Sequence, residues 1–293
     1  MTESHQTRFA AYLSKSVSSA TIRSYLCAVR FLQIRAGLPD PSQSSPPRLA
    51  YVLKGIQRNS PSHGRMKRLP LTPDLLLKIH ALWSNHPISF DKVMLWAAFC
   101  TGFFGFMRSG EFTFSASGHE GLSVDDIAID SRQDPQIMTI LLRRSKTDPF
   151  GTGTRLYLGR TGNKLCPISA MLAYLAIRPH VAGPLFILQD GTPLTRGRLV
   201  THLRQALSQL NVNATNFSGH SFRIGAATAA ARAGLSDSLI QSLGRWKSSA
   251  FTAYIRTQVD ELIAAPAAMS TLGTNLTAPS PAVEVLQIPQ QPC

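Results

Sequence analysis

Arg108, Lys146, His220, Arg223, Trp246 and Tyr254 form, in chain order, a set that can do chemistry on a single phosphate. The densest part is Gly219-His220-Ser221-Phe222-Arg223, followed by Leu243-Gly244-Arg245-Trp246 and Ala253-Tyr254-Ile255-Arg256. Two guanidinium forks match the non-bridging oxygens of a phosphodiester, where the transition state concentrates negative charge. A tyrosine hydroxyl can attack the phosphorus and conserve the bond energy as a phosphotyrosine. Phenols ionise near ~10, so the nucleophile needs positive charge or a base beside it. His220, three residues before Arg223 and on the same helix face, can accept that proton or bind the phosphate. Lys146 can protonate the leaving 5′-oxygen, and Trp246 offers an indole N–H that does not titrate. This chemistry breaks a DNA strand through a covalent intermediate and calls for no metal and no nucleotide cofactor.

Each residue also has an ordinary role. Tyr254 and Trp246 can be core fillers, and Lys146 can be a solvated tip residue whose neighbours Arg143 and Arg144 could replace it. Arg108 can pair with Glu111, which could in turn orient it, and His220 can cap a helix after Ser218-Gly219. Competing sites are missing from the sequence: it has no P-loop, no HExxH, no GxSxG and no Cys/His metal spacing. Ala233-Gly234-Leu235-Ser236 could instead be the turn of a helix-turn-helix, giving a repressor-like binder that needs neither Tyr254 nor Lys146.

The elements that must position these residues are mostly helical. Residues 18–36 read as a helix capped by Ser18 or Ser19, with Ile22, Leu26, Val29 and Phe31 or Leu32 as its apolar stripe. Gly37 and Pro39 stop it. Residues 47–58 read as a second amphipathic helix with Leu49, Val52, Leu53 and Ile56 inside. Thr72-Pro73-Asp74 opens another. Asp91–Phe106 reads as a buried helix leading into Arg108; its apolar run Val93–Phe106 is too short to span a bilayer. Residues 127–129, 137–142 and 155–158 read as short strands, with Lys146-Thr147-Asp148-Pro149-Phe150-Gly151 as the turn between the last two. Helices resume over residues 168–177, 199–210, 222–233 and 236–243. The stretch from about Ala264 reads as a flexible tail.

Charge points to the partner. The 293 residues carry a net charge of +14, and residues 1–70 hold eleven lysines and arginines against two acids. A basic module ahead of a more neutral body suits a polyanion, double-stranded DNA above all. Arg23 and Arg30 share one outer helix face, and Arg48, Lys54 and Arg58 can face out from the next helix. Arg65, Lys67 and Arg68 lie in a linker-like stretch, residues 59–70, and can touch phosphate as the chain crosses DNA. Cys27, Cys100, Cys166 and Cys293 are scattered; three sit among apolar residues and read as buried free thiols of a reducing compartment. The N-terminus is polar and shows no secretory signal, so an intracellular location is expected.

With these residues in view, the chain resembles the tyrosine recombinase, or phage-integrase, family. Arg108 in Met-Arg-Ser-Gly-Glu matches that family's first arginine, Lys146 in Arg-Ser-Lys-Thr its hairpin lysine, and His220 and Arg223 its His-x-x-Arg box. Tyr254 matches the nucleophile, and Trp246 stands where many members have His. The wording Gly-His-Ser-Phe-Arg and Gly-Arg-Trp-Lys-Ser is most similar to eukaryotic mobile-element recombinases of the DIRS-like or Crypton type, which implies a nuclear site of action. The resemblance implies an α+β fold, mainly α with a small antiparallel sheet: a helical DNA-binding domain over residues 1–60, a linker over 61–70 and a catalytic domain over 71–263, ahead of a tail over 264–293. The first domain looks short beside the family's usual module. Further implied are a 3′-phosphotyrosine intermediate, a DNA-bound tetramer, no membrane association and mobile-element integration or excision. The family's C-terminal helix docks on a neighbouring protomer; here Val259–Ala265 could supply a short one, ended by Pro266. The alternatives from the same ancestry are a silent domesticated DNA-binding protein and a type IB topoisomerase.

Overall fold

The computed structural model of the chain describes residues 2–40, 47–59, 68–85, 89–115, 121–131, 133–145, 148, 151–257, 263 and 266. The chain divides into two compact units, Met1–Lys67 and Arg68–Cys293.

The smaller unit holds helices α1 (Glu3–Leu13), α2 (Ser19–Arg35) and α3 (Pro47–Asn59). Ser18 Oγ accepts the Thr21 N–H at 3.3 Å and satisfies one of the open donors at the start of α2. Gly37, at φ +72°, ends that helix in the left-handed region. Ile22 is buried and Leu26 and Val29 are half-buried, but Phe31 and Leu32, expected on the same stripe, are exposed. Helical spacing from 22, 26 and 29 leads on to Gln33, so the inner face ends on a polar side chain and the aromatic faces out. In α3, Leu49, Val52, Leu53 and Ile56 turn inward as expected, yet none is fully buried. The periodicity of α1 is weak and gave no expectation of a helix. The Glu3 carboxylate nevertheless caps α3, accepting the N–H groups of Arg48 and Leu49 at 2.8 and 3.3 Å. Cys27 is exposed, a correction to the reading of its apolar neighbours; Cys100 and Cys166 are buried free thiols.

The larger unit carries α4 (Pro73–Ser84), α5 (Phe90–Phe104), α6 (Ser109–Phe112), α7 (Pro167–Ile177), α8 (Arg196–Gln209), α9 (His220–Arg232) and α10 (Asp237–Gly244). Thr72 caps α4 by accepting the Leu75 N–H at 3.2 Å, with Pro73 in the first turn. Strands β1 (Ile127–Ile129), β2 (Ile137–Leu142) and β3 (Thr154–Gly159) form one antiparallel sheet in the order β1-β2-β3. Its register sets Ile127 opposite Ile140, and Ile140 opposite Leu156. Met138, Ile140 and Leu142 alternate inward on β2, as do Leu156 and Leu158 on β3, so one face of the sheet closes on the core.

Helix α5 is apolar nearly all round and runs through that core, buried from Met94 to Phe103. Phe99 meets Phe222 of α9 edge-on, with ring centroids 5.1 Å apart. The chain enters the unit along the start of α9: Leu71 N–H donates to the Ser221 carbonyl at 3.0 Å. A Cβ on Gly225 would stand 1.9 Å from the Leu71 carbonyl oxygen, so only glycine allows this approach. α5 therefore delivers Arg108 from one side of the core while α9 delivers Arg223 from another. No described helix is long and apolar enough to cross a membrane. Val259–Ala265 and the tail lie almost wholly outside the described residues, as do Lys146, Arg65 and Lys67.

Candidate active site

Arg223 organises the site. It is fully buried and is the largest side chain to be so. Its Nη1 donates to the Phe106 carbonyl at 2.7 Å and its Nη2 to the Gly244 carbonyl. These acceptors end two separate elements, the α5 exit and α10, so the guanidinium ties both to α9. Its Cζ lies 4.2 Å from the Trp246 ring centroid and 5.6 Å from that of Tyr254. The two rings are themselves 5.2 Å apart. Burial, followed by the charges of Arg108 and Arg245, pulls the Arg223 pKa down to about 10, leaving the group protonated at neutral pH.

Arg108 stands at the start of α6 after a sharp turn in which Phe106 takes φ +49°. Its Nη1 donates to Glu111 Oε1 at 2.8 Å, and its own backbone N–H donates to Glu111 Oε2 at 2.8 Å. The Glu111 side chain is 5% exposed and that of Arg108 21%, so the acid is sunk and part of the arginine stays open. Arg245 reaches the same carboxylate from α10, its Nη2 2.7 Å from Glu111 Oε2. Arg245 is a site residue that the sequence reading passed over; the one available signal was a basic residue wedged between Gly244 and Trp246.

His220 opens α9 and is exposed, one turn from Arg223. Its imidazole pKa is lowered by desolvation first, then by Arg196, Arg108, Arg223 and Arg68. Four arginines thus act on His220 electrostatically. Arg196 was also missed, being distant in sequence with no motif around it. A Cβ on Gly219 would stand 3.8 Å from Arg196 Nε and 2.2 Å from Ser109 Oγ, so Gly219 keeps these groups close to His220. Tyr254 ends a short 3₁₀ segment, Ser249–Tyr254, and its carbonyl accepts from Thr228 Oγ1 of α9 at 3.3 Å.

Arg108, Glu111, Arg223, Trp246 and Tyr254 thus come together, with His220 inside their field. The hairpin loop between β2 and β3 is described at its base, where Ser145 and Asp148 pair as an isolated bridge. That base and Thr152 share a cleft of about 680 Å³ with Arg245, Trp246 and Lys247. Arg143, considered as a substitute acid, is bound to Asp126 at 2.5 Å at the root of the hairpin. Of the basic residues expected to touch DNA, Arg23, Arg48, Lys54, Arg58 and Arg68 are exposed, with Arg23 donating weakly to Gln57 at 3.4 Å. Arg30 is held by Asp40 in a two-bond fork at 2.8 and 2.6 Å, so its charge is partly committed inside its own unit. Among the described residues no group of three or more His, Cys, Asp or Glu side chains could hold a metal.

Residues 168–261 match the phage integrase family. No protein of curated function matches the sequence. Among solved structures, the chain is similar to the XerH site-specific recombinase in a post-cleavage complex with palindromic difH substrate. There the TM-score is 0.59 and the identity 17%, covering 92% of this chain and 70% of that one. It is similar to the Tn1549 transposon integrase in complex with transposon right end DNA at TM-score 0.58 and 15% identity, covering 93% and 86%. XerA recombinase gives 0.52 and 15%, covering 92% and 88%. The fold is that of these recombinases: mostly helical, with a small three-stranded antiparallel sheet. The matched stretch runs from α7 to just beyond Tyr254.

Proposed function

We propose that the chain is a site-specific DNA recombinase that cleaves and rejoins strands through a 3′-phosphotyrosine. The observation that carries this reading is a buried, charged Arg223 stacked against Trp246 and Tyr254, with Arg108 held beside it by Glu111. A buried guanidinium cluster with one side open is a preorganised anion site. Tyr254, whose ring lies 5.6 Å from the Arg223 guanidinium, is the nucleophile in this reading.

In the mechanism, Arg108 and Arg223 neutralise the non-bridging oxygens of the scissile phosphate. Tyr254 Oη attacks phosphorus, its proton passing to His220, which desolvation first and then the surrounding arginines favour in the neutral form. The P–O5′ bond breaks, and Lys146 gives the leaving oxygen its proton. Trp246 donates its indole N–H to the phosphate and shields the site. Religation runs the same steps backward with a 5′-hydroxyl as nucleophile, so no external energy source enters. The basic residues Arg23, Arg30, Arg48, Lys54, Arg58, Arg65, Lys67 and Arg68 contact duplex DNA in this reading, as their charge supports. Assembly as a DNA-bound tetramer and a role in moving a genetic element, in a eukaryotic nucleus, belong to the same proposal; the Gly-His-Ser-Phe-Arg and Gly-Arg-Trp-Lys-Ser wording supports them.

The test is strand transfer on nicked duplexes of random and element-terminal sequence, in EDTA, with wild type beside Tyr254→Phe. A denaturation-resistant adduct made by wild type alone is expected. Specific binding with no adduct from wild type would replace this reading with that of a silent DNA-binding protein. Relaxation of supercoils at any sequence would indicate a topoisomerase.

A further inference from the structure

We infer that Arg245 is a positioning residue that sets Arg108 through Glu111. The Glu111 carboxylate is nearly buried and splits its oxygens between two guanidinium groups: Oε1 takes Arg108 at 2.8 Å and Oε2 takes Arg245 at 2.7 Å. Oε2 also accepts the backbone N–H of Arg108, so one acid fixes both ends of that residue. A carboxylate shared in this way has little freedom to turn, and the orientation of Arg108 inherits that constraint.

Arg245 itself is turned inward. Its second Nη donates to the Gly105 carbonyl at 3.0 Å, its Nε is buried, and its side chain is 11% exposed. Both terminal nitrogens donate to the wall of the site, as those of Arg223 do, but one of them goes to the carboxylate that holds Arg108, which gives Arg245 the part of a brace. The backbone is bent to serve this: Arg245 takes φ +57°, a left-handed conformation uncommon for a side chain of this size, at the C-terminus of α10. The next residue is Trp246, stacked on Arg223. A single turn thus braces Arg108 through Glu111 and packs Arg223 through Trp246.

The inference uses the strand-transfer reading only in taking Arg108 as a phosphate ligand, so its test avoids DNA cleavage. Orthovanadate, a phosphate mimic, is titrated into the full chain at low ionic strength by calorimetry. The panel is wild type, Arg245→Ala, Arg108→Ala and the double variant. Arg245→Ala is expected to weaken binding about tenfold when Arg108 is present and less than about twofold when it is absent. Arg245→Lys, which keeps the charge but loses the fork, runs through the same cycle in case the alanine variant does not fold; it is expected to lose most of the same affinity only when Arg108 is present. Losses that multiply independently, wild-type affinity in Arg245→Ala, or no vanadate binding by wild type would each overturn the inference. Coupled losses in a protein that never forms a DNA adduct would uphold it and sink the strand-transfer reading instead.

Discussion

A guanidinium with no exposure, packed on two aromatic rings, does structural and chemical work at once, and Arg223 separates the two by substitution. Arg223→Ala leaves the Phe106 and Gly244 carbonyls without their donor, at a cost of about 2–4 kcal/mol in unfolding free energy by urea titration. Arg223→Lys keeps the charge and loses the fork; adduct formation is expected to fall about 10²- to 10³-fold with a smaller loss of stability. Equal activity in Arg223→Lys and wild type would remove it from the phosphate site. His220 sets the pH dependence. Its folded pKa lies below the ordinary value near ~6.5, so the folded state holds fewer protons there than the unfolded chain. Above that pH the group has no effect on stability; as pH falls below it, the folded state loses ground. Adduct formation by wild type should hold steady down to about pH 6.5 and decline only below, while His220→Gln should be slow and flat across that range. An acid limb centred above 6.5 would contradict the assignment. At this scale the spacing of Arg108, His220, Arg223 and Tyr254 made them candidates, because it forms a pattern. The sequence concealed Arg196 and Arg245, whose places near the site depend on how distant elements pack.

At the scale of elements, close approaches decide where the site residues stand. Gly225 lets α9 lie against the chain at Leu71, which carries α9 and Arg223 into the core. Gly225→Ala is expected to cost about 1–3 kcal/mol, lowering Tm by roughly 3–10 °C, whereas Gly197→Ala on α8, with only a 3.9 Å neighbour, should leave Tm within about 1 °C. The β2–β3 hairpin carries the proposed general acid, Lys146, in its loop sequence. Its base, Ser145 and Asp148, lies on the cleft beside Trp246, while Lys146 itself is outside the described residues. Lys146→Ala should slow cleavage of an ordinary strand by about 10²- to 10⁴-fold, and a substrate whose 5′-bridging oxygen is replaced by sulfur should recover most of that rate, because a thiolate leaves without a proton. No recovery would assign Lys146 another role. Caps and alternation made most elements legible: Ser18 and Thr72 mark helix starts, and Met138, Ile140 and Leu142 mark a strand with one buried face. Helix α1 and the 3₁₀ segment before Tyr254 were not legible, since neither carries a 3.6-residue apolar stripe. The misplaced Phe31 and Leu32 show the limit of stripe reading, which follows apolarity where the helix follows angle.

Across the whole molecule, the basic excess is concentrated in sequence ahead of the candidate site. The first 70 residues carry eleven basic residues and two acids, while the site draws on Arg108, Arg223 and Arg245. If the first unit neutralises phosphates, the slope of log affinity against log salt should shrink by about 0.9 for each phosphate contact removed among Arg23, Arg48, Lys54 and Arg58. Arg30→Gln should change it less, because Asp40 already holds that charge. An unchanged slope across all these variants would move the DNA contacts elsewhere. The account as a whole turns on one bond, between Tyr254 Oη and a DNA 3′-phosphate. The most direct measurement is to digest the trapped adduct with protease and nuclease and locate the modified peptide by mass spectrometry. A nucleotide on Tyr254, absent from Tyr254→Phe, is the predicted result. A nucleotide on any other residue, or an adduct that survives Tyr254→Phe, would contradict the mechanism.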